Sequence, residues 1–150
     1  MPKEMRTMLD FFNNMRETNT FDWSHDYVMT HAEPGHVKME FTTNPQRHVN
    51  FKGAIHGGVY ATFSDILMGV SCFSLRKKVV TLELKGNFIK TTALGNVLYG
   101  EAQVEHNGRS TMVLTNRIYD EKGQLLYMGS GTFFVIGEFE LPDLPWTEEK

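Results

Sequence analysis

Two kinds of group on one short stretch have the type and spacing for carbonyl chemistry. Between Asn50 and Asp65 the chain places His56-Gly57-Gly58 in front of an apolar run, and Asp65 follows eight residues after Gly57. The opening N–H groups of a helix have no partner within it, and the macrodipole puts partial positive charge there. Gly57 and Gly58 remove the Cβ atoms that would keep a ligand oxygen from the backbone. Such a turn fits an oxyanion hole, where losing one donor costs about 3–4 kcal/mol of barrier. It fits equally a glycine turn that only packs the helix entrance. Asp65 is the lone acid of an apolar segment. A buried carboxylate must be hydrogen-bonded, raised in pKa or open to a cleft. In a cleft it would serve as general base or nucleophile toward an acyl carbonyl; otherwise it sits at a wet helix end or an interface.

Helix geometry constrains how these groups combine. Eight residues of α-helix rise about 12 Å, so Gly57 and Asp65 of one chain cannot hold the same carbonyl. One site would need Gly57 from one subunit and Asp65 from another, which a two-fold dimer supplies twice. His56 is a candidate base, but a histidine before a glycine turn more often fixes that turn through its ring nitrogens. His25, His31, His36, His48 and His106 lack compact metal-ligand spacing in sequence, so no metal is expected. Cys72 has no evident partner and is expected to pack as a small hydrophobe.

The elements that must position these residues follow from periodicity. Met5, Met8, Leu9, Phe12 and Met15 predict an amphipathic helix over residues 3–17, and Asn19 and Thr20 break it. A strand beginning at Tyr27 turns at Glu33-Pro34-Gly35 and returns with alternating residues from Val37 to Phe41. Residues 44–56 predict a loop and 57–75 a long helix, apolar on most of its circumference and therefore buried. Strands are predicted over 79–89, with Gly86 as a bulge or close-contact site, then 96–106, 110–119 and 124–136. Asn107-Gly108 predicts a two-residue hairpin turn. The tail from Leu141 is expected to be irregular and solvated. One apolar helix needs a wide apolar surface. The expected class is therefore α+β, a curved antiparallel sheet wrapped around a long central helix, with an extra N-terminal helix, in a single domain over 1–150.

Composition narrows the function. The 150 residues carry a net charge of −3, which gives no basic footprint for nucleic acid. One cysteine excludes an intramolecular disulfide and fits a reducing compartment. The first residues lack an apolar signal core and no run reaches the roughly 20 residues of a membrane span. A cytoplasmic location is expected.

The element order and the Asn50…His56-Gly57-Gly58…Asp65 spacing together resemble the hotdog-fold acyl-CoA thioesterases, in particular the phenylacetate-catabolism type. The resemblance covers about residues 25–137, and Val79–Ile89 followed by Gly95 is similar to the family's next strand. It implies that Asp65 activates water or attacks the thioester carbonyl. It also implies that the Gly57 N–H polarises the carbonyl oxygen and that Asn50 positions the reactants. Thr81 matches a hydroxyl residue that some members use to orient the nucleophile. Coenzyme A would arrive as part of the substrate, with no separate cofactor, and its phosphates would need cations such as Lys85, Lys90 or Arg109. An acyl tunnel is expected from Tyr60, Phe63, Leu67, Phe88 and the N-terminal helix. The homodimer is the smallest competent unit and a homotetramer the expected assembly.

Two other readings compete with thioester hydrolysis. A hotdog hydratase or dehydratase would pair an acid with a histidine, and here only His56 is available. A non-catalytic acyl-CoA-binding module would bind without turnover, against which stands the presence of both Asn50 and Asp65.

Overall fold

A computed structural model describes residues 4–17, 26–92 and 96–147. Asn19, Thr20, His25 and Gly95, used above, lie outside the described residues. The order is α1 (Met8–Glu17), β1 (Tyr27–Glu33), β2 (His36–Thr42), α2 (Gly57–Phe73), β3 (Lys77–Phe88), β4 (Val97–Asn107), β5 (Thr111–Tyr119) and β6 (Leu125–Glu138). All strands pair antiparallel in one sheet, ordered β1-β2-β4-β5-β6-β3.

α1 starts later than residue 3 because Thr7 caps it. The Thr7 hydroxyl accepts from the Asp10 N–H at 3.2 Å, and the Asp10 carboxylate accepts from the Thr7 N–H at 2.8 Å. This reciprocal pair satisfies N–H groups that the helix itself leaves open. At α2 the chain enters through His56 in an extended conformation, whose ring Nδ1 accepts from the Gly58 N–H at 3.0 Å.

α2 touches β2 through β6. Five strands at about 4.8 Å spacing span roughly 19 Å, wider than a helix about 10 Å across, so the sheet must curve around it. Val59, Phe63, Leu67, Met68 and Cys72 point into this concavity and meet Phe41, Leu98, Met112, Leu114 and Phe133. Close seating depends on Gly100, where a Cβ would fall 2.5 Å from Leu67 Cδ1 and 2.8 Å from the Phe63 ring. The other side of the helix, with Asp65, Ile66 and Gly69, is only half covered. The expectation of a helix buried nearly all round therefore holds for one face within a single chain.

One expectation is resolved between its alternatives and two change. The irregularities of β3 fall at Lys78/Val79 and Thr81/Glu83, and Gly86 is the close-contact site: a Cβ there would sit 1.8 Å from the Tyr127 hydroxyl. The turn after β4 is three residues, Gly108 to Ser110, closed by Gly108 N–H to Thr111 O at 3.0 Å. Gly108 is not among the positive-φ residues, so the turn is not the mirror-type two-residue hairpin that Asn-Gly favours. The described part of the tail, 141–147, is irregular, and its apolar residues are packed rather than solvated. Leu141, Leu144 and Trp146 pack on the core, the Met8 N–H donates to Pro145 O at 2.9 Å, and Phe73 stacks on Phe139 at 4.4 Å. Its apolar residues are too sparse to show a period, yet each finds an apolar neighbour.

Among the described residues β3 pairs only with β6, as the outer strand on one side of the sheet. Val80, Leu82, Leu84 and Phe88 on it are all more than 40% exposed. A long apolar edge invites pairing with another chain.

Candidate active site

β3 runs back along α2, so each residue of the strand faces a particular depth of the helix. Near its end, Phe88 approaches the helix entrance, where a Cβ on Gly57 would lie 3.2 Å from the Phe88 ring. Further back, Thr81 Oγ1 donates to Asp65 Oδ1 at 2.8 Å. The register shift between Thr81 and Glu83 lies beside the residue that meets the acid, and bulges of this kind re-aim side chains. Asp65 is thus hydrogen-bonded on one oxygen, and its other oxygen has no partner among the described residues.

Asp65 and Thr81 line a cavity of about 380 Å³. Its apolar wall comes from Met15 of α1, Ile66, Val70 and Phe73 of α2, and Val79 and Phe133 of the sheet; Arg16 and Tyr27 close one side. The Arg16 guanidinium donates to the Tyr27 carbonyl, while its buried Nε has no acceptor among the described residues. This corrects the expected lining. Phe63 and Leu67 are fully buried against the sheet, so the cavity opens on the opposite face of α2; α1 contributes as expected. Sequence gave no signal for Arg16, Tyr27 or Phe133, because elements remote along the chain form this wall.

At the helix entrance His56 is spent on capping Gly58, so its Nδ1 holds the turn. Gly58 N–H is thereby occupied, whereas Gly57 N–H has no acceptor among the described residues. Asn50 shapes the preceding loop. Its Oδ1 accepts from the N–H groups of Lys52 (2.9 Å) and Ala54 (3.2 Å), leaving Nδ2 to donate. Tyr60 is buried behind the entrance, 6.1 Å from Phe88 and stacked on Tyr127 at 6.0 Å; burial pushes its hydroxyl above the usual tyrosine range. It packs the entrance.

The three candidate cations do not converge in one chain. Lys85 pairs with Glu83 at 3.1 Å on the exposed part of β3. Lys90, just past Phe88, donates to Gln124 at 2.6 Å. Arg109 sits exposed on the β4–β5 turn, which Lys77 at the far end of β3 contacts through Gly108 O. Cys72 is fully buried, its thiol pushed up to about 12 by burial, so it packs and does not react.

A six-stranded antiparallel sheet curved around one helix, with a further helix at the N-terminal side, is the hotdog fold. The chain belongs to the thioesterase superfamily, whose family model matches residues 52–127. Among solved structures it is similar to a hypothetical thioesterase from Streptococcus pneumoniae TIGR4 in complex with coenzyme A. The two are 29% identical over 77% of this chain and 90% of that one, with a TM-score of 0.74. That pneumococcal protein was also solved with an aspartate and, separately, a threonine replaced by alanine, sixteen positions apart. Asp65 and Thr81 here are likewise sixteen apart. A Streptococcus mutans UA159 protein bound to acetyl-CoA is 28% identical over 83% and 97% of the two chains, with a TM-score of 0.75. The Escherichia coli PaaI protein of the phenylacetic acid degradation operon shares the fold at 22% identity and a TM-score of 0.77, over 83% of this chain and 90% of its own. No match is found among curated proteins. Among the described residues no helix is long and apolar enough to cross a membrane.

Proposed function

We propose that the protein is an acyl-CoA thioesterase whose active site is completed across a homodimer. The observation that carries this reading is the Asp65 carboxylate, held by Thr81 and opening onto a largely apolar cavity. The acyl group would occupy that cavity. Asp65 acts as base on a water molecule that attacks the thioester carbonyl carbon, or attacks that carbon directly as nucleophile. The tetrahedral oxyanion is received by the Gly57 N–H of the second subunit, and collapse expels coenzyme A as its thiolate. On the base route this releases the free acid, and the proton held by Asp65 passes to the thiolate. On the nucleophile route it leaves a mixed anhydride with Asp65, which a water molecule then hydrolyses to the free acid and the regenerated carboxylate. Asn50 Nδ2, beside the same entrance, positions the reactants.

The two-subunit arrangement is supported by the roughly 12 Å separating Gly57 from Asp65 along one helix and by the exposed apolar edge of β3 beside both. Two β3 strands pairing about a two-fold axis would extend the sheet and bring the second copy to the half-covered face of α2. Val113, Phe134 and Ile136, exposed on the sheet, offer the contact for a dimer of dimers. Coenzyme A would enter as part of the substrate, with Lys85, Lys90 and Arg109 as candidate phosphate partners, and a cytoplasmic location suits that substrate. A hydratase reading loses its acid–histidine pair, since Asp65 is held by a threonine and His56 by the Gly58 N–H.

The deciding experiment is steady-state hydrolysis of a panel of short, long and aryl acyl-CoA esters by wild type and Asp65→Asn. A positioned general base contributes about 10²- to 10⁴-fold, so kcat is expected to fall by at least the lower figure. Full hydrolysis of every accepted ester by Asp65→Asn would sink the assignment.

A further inference from the structure

The β1–β2 hairpin carries a second cluster, away from Asp65. In a strand, residues two apart share a face, so His31 and Glu33 point the same way. The register pairs Glu33 with His36 across the turn, adding that ring to the face. One nitrogen of each ring and one carboxylate oxygen lie within 4.8 Å of one another. Linear spacing concealed this set, because it is the hairpin that folds His36 back onto Glu33.

The cluster would open slightly between Glu33 and His36 to seat a small cation. Glu33 Oε1 is 2.8 Å from His36 Nδ1 and 3.3 Å from His31 Nε2. Zinc bonds of about 2.0–2.2 Å in tetrahedral geometry place ligand atoms about 3.4 Å apart. The other nitrogen of His36, Nε2, lies 3.3 Å from Glu101 on neighbouring β4. A neutral imidazole has one N–H. If Glu101 takes it, the Nδ1 lone pair turns toward Glu33 and His31, as in the carboxylate–histidine–metal arrangements that orient a ligand ring.

We propose that His31, Glu33 and His36 form a zinc site, with Glu101 as the positioning residue for His36 and water in the fourth position. The metal would clip the end of edge strand β1 to β2, at a turn already tied to the end of α2 by the Gly35 N–H donating to Ser74 Oγ at 2.8 Å. This proposal is independent of the thioesterase reading.

The test uses the full chain, stripped with chelator and titrated with Zn²⁺ by calorimetry. Saturable binding of one zinc per chain is expected. His31→Ala and His36→Ala should each weaken it by at least about tenfold, and Glu101→Gln by about 10- to 100-fold, as loss of the group that orients a metal-binding ring does. His106→Ala, outside the cluster, should leave it unchanged. Thermal unfolding of wild type should shift upward with zinc by mass action, and that of His36→Ala should not. Equal zinc affinity in wild type and His36→Ala, or no saturable binding and no thermal shift at about 100 µM zinc, would overturn the site. Unchanged affinity in Glu101→Gln would overturn the role of Glu101.

Discussion

Thr81 and Asp65 together define how the acid faces its cavity. A hydrogen bond to a charged group is worth about 1.5–3 kcal/mol, so Thr81→Val, which keeps the shape and removes the donor, should lower kcat by about 10- to 150-fold. Thr81→Ser should retain most of it, and KM should move little for either. Equal kcat for Thr81→Val and wild type would remove Thr81 from the machinery. Asp65 was legible as an acid out of place in an apolar helix. Thr81 was not legible from pattern, because its relation to Asp65 depends on where β3 runs and where its register shifts; only the family resemblance pointed to it. His56 was legible in the humbler of its two readings, as a cap.

The loop from Asn44 to His56 carries Asn50 and delivers the chain to the helix entrance. It is anchored by His48, which is buried; its Nδ1 accepts from the Asn44 N–H at 2.7 Å and its ring packs on Phe41. Burial outweighs the Asp26 carboxylate 3.4 Å away and holds the imidazole below its ordinary range. A group with a depressed folded pKa binds protons more readily when unfolded. The His48 contribution is therefore complete above about pH 6.5 and is lost as pH falls below it. Thermal midpoints measured from pH 7.5 to 5 should fall in wild type, and fall less steeply in His48→Gln. Parallel slopes would remove His48 as the cause. Strand and helix periods were visible in sequence, including this loop, since backbone geometry imposes them. The length of the β4–β5 turn was not, because Asn107-Gly108 promised a tighter turn than the flanking pairing allows.

At the scale of the whole molecule, each proposed site draws on two copies. Gly57→Pro deletes the candidate donor while suiting the first helical position, and His56 already has the extended backbone that a following proline requires. Gly57→Pro and Asp65→Asn should each be nearly inactive alone. Co-refolded in equal amounts, half the dimers would be mixed, and each would hold one intact site. About one quarter of wild-type activity should return. If both groups served one chain's site, no mixture would recover activity. The sheet around a helix was foreseeable from one apolar helix followed by a run of strands. The cavity was not, because its lining is drawn from both ends of the chain.

That last arrangement separates two properties of the protein. The helix and strand bearing Asp65, Gly57 and Thr81 lie within residues 52–127, which match the family model. Met15 and Arg16 of α1 also line the cavity; α1 is pinned by the segment from Leu141 to Trp146, and both lie outside that span. In the proposed enzyme the reacting groups are thus written within the matched span, and the size of the guest partly outside it. An engineer could recut the second by grafting termini, leaving the first untouched.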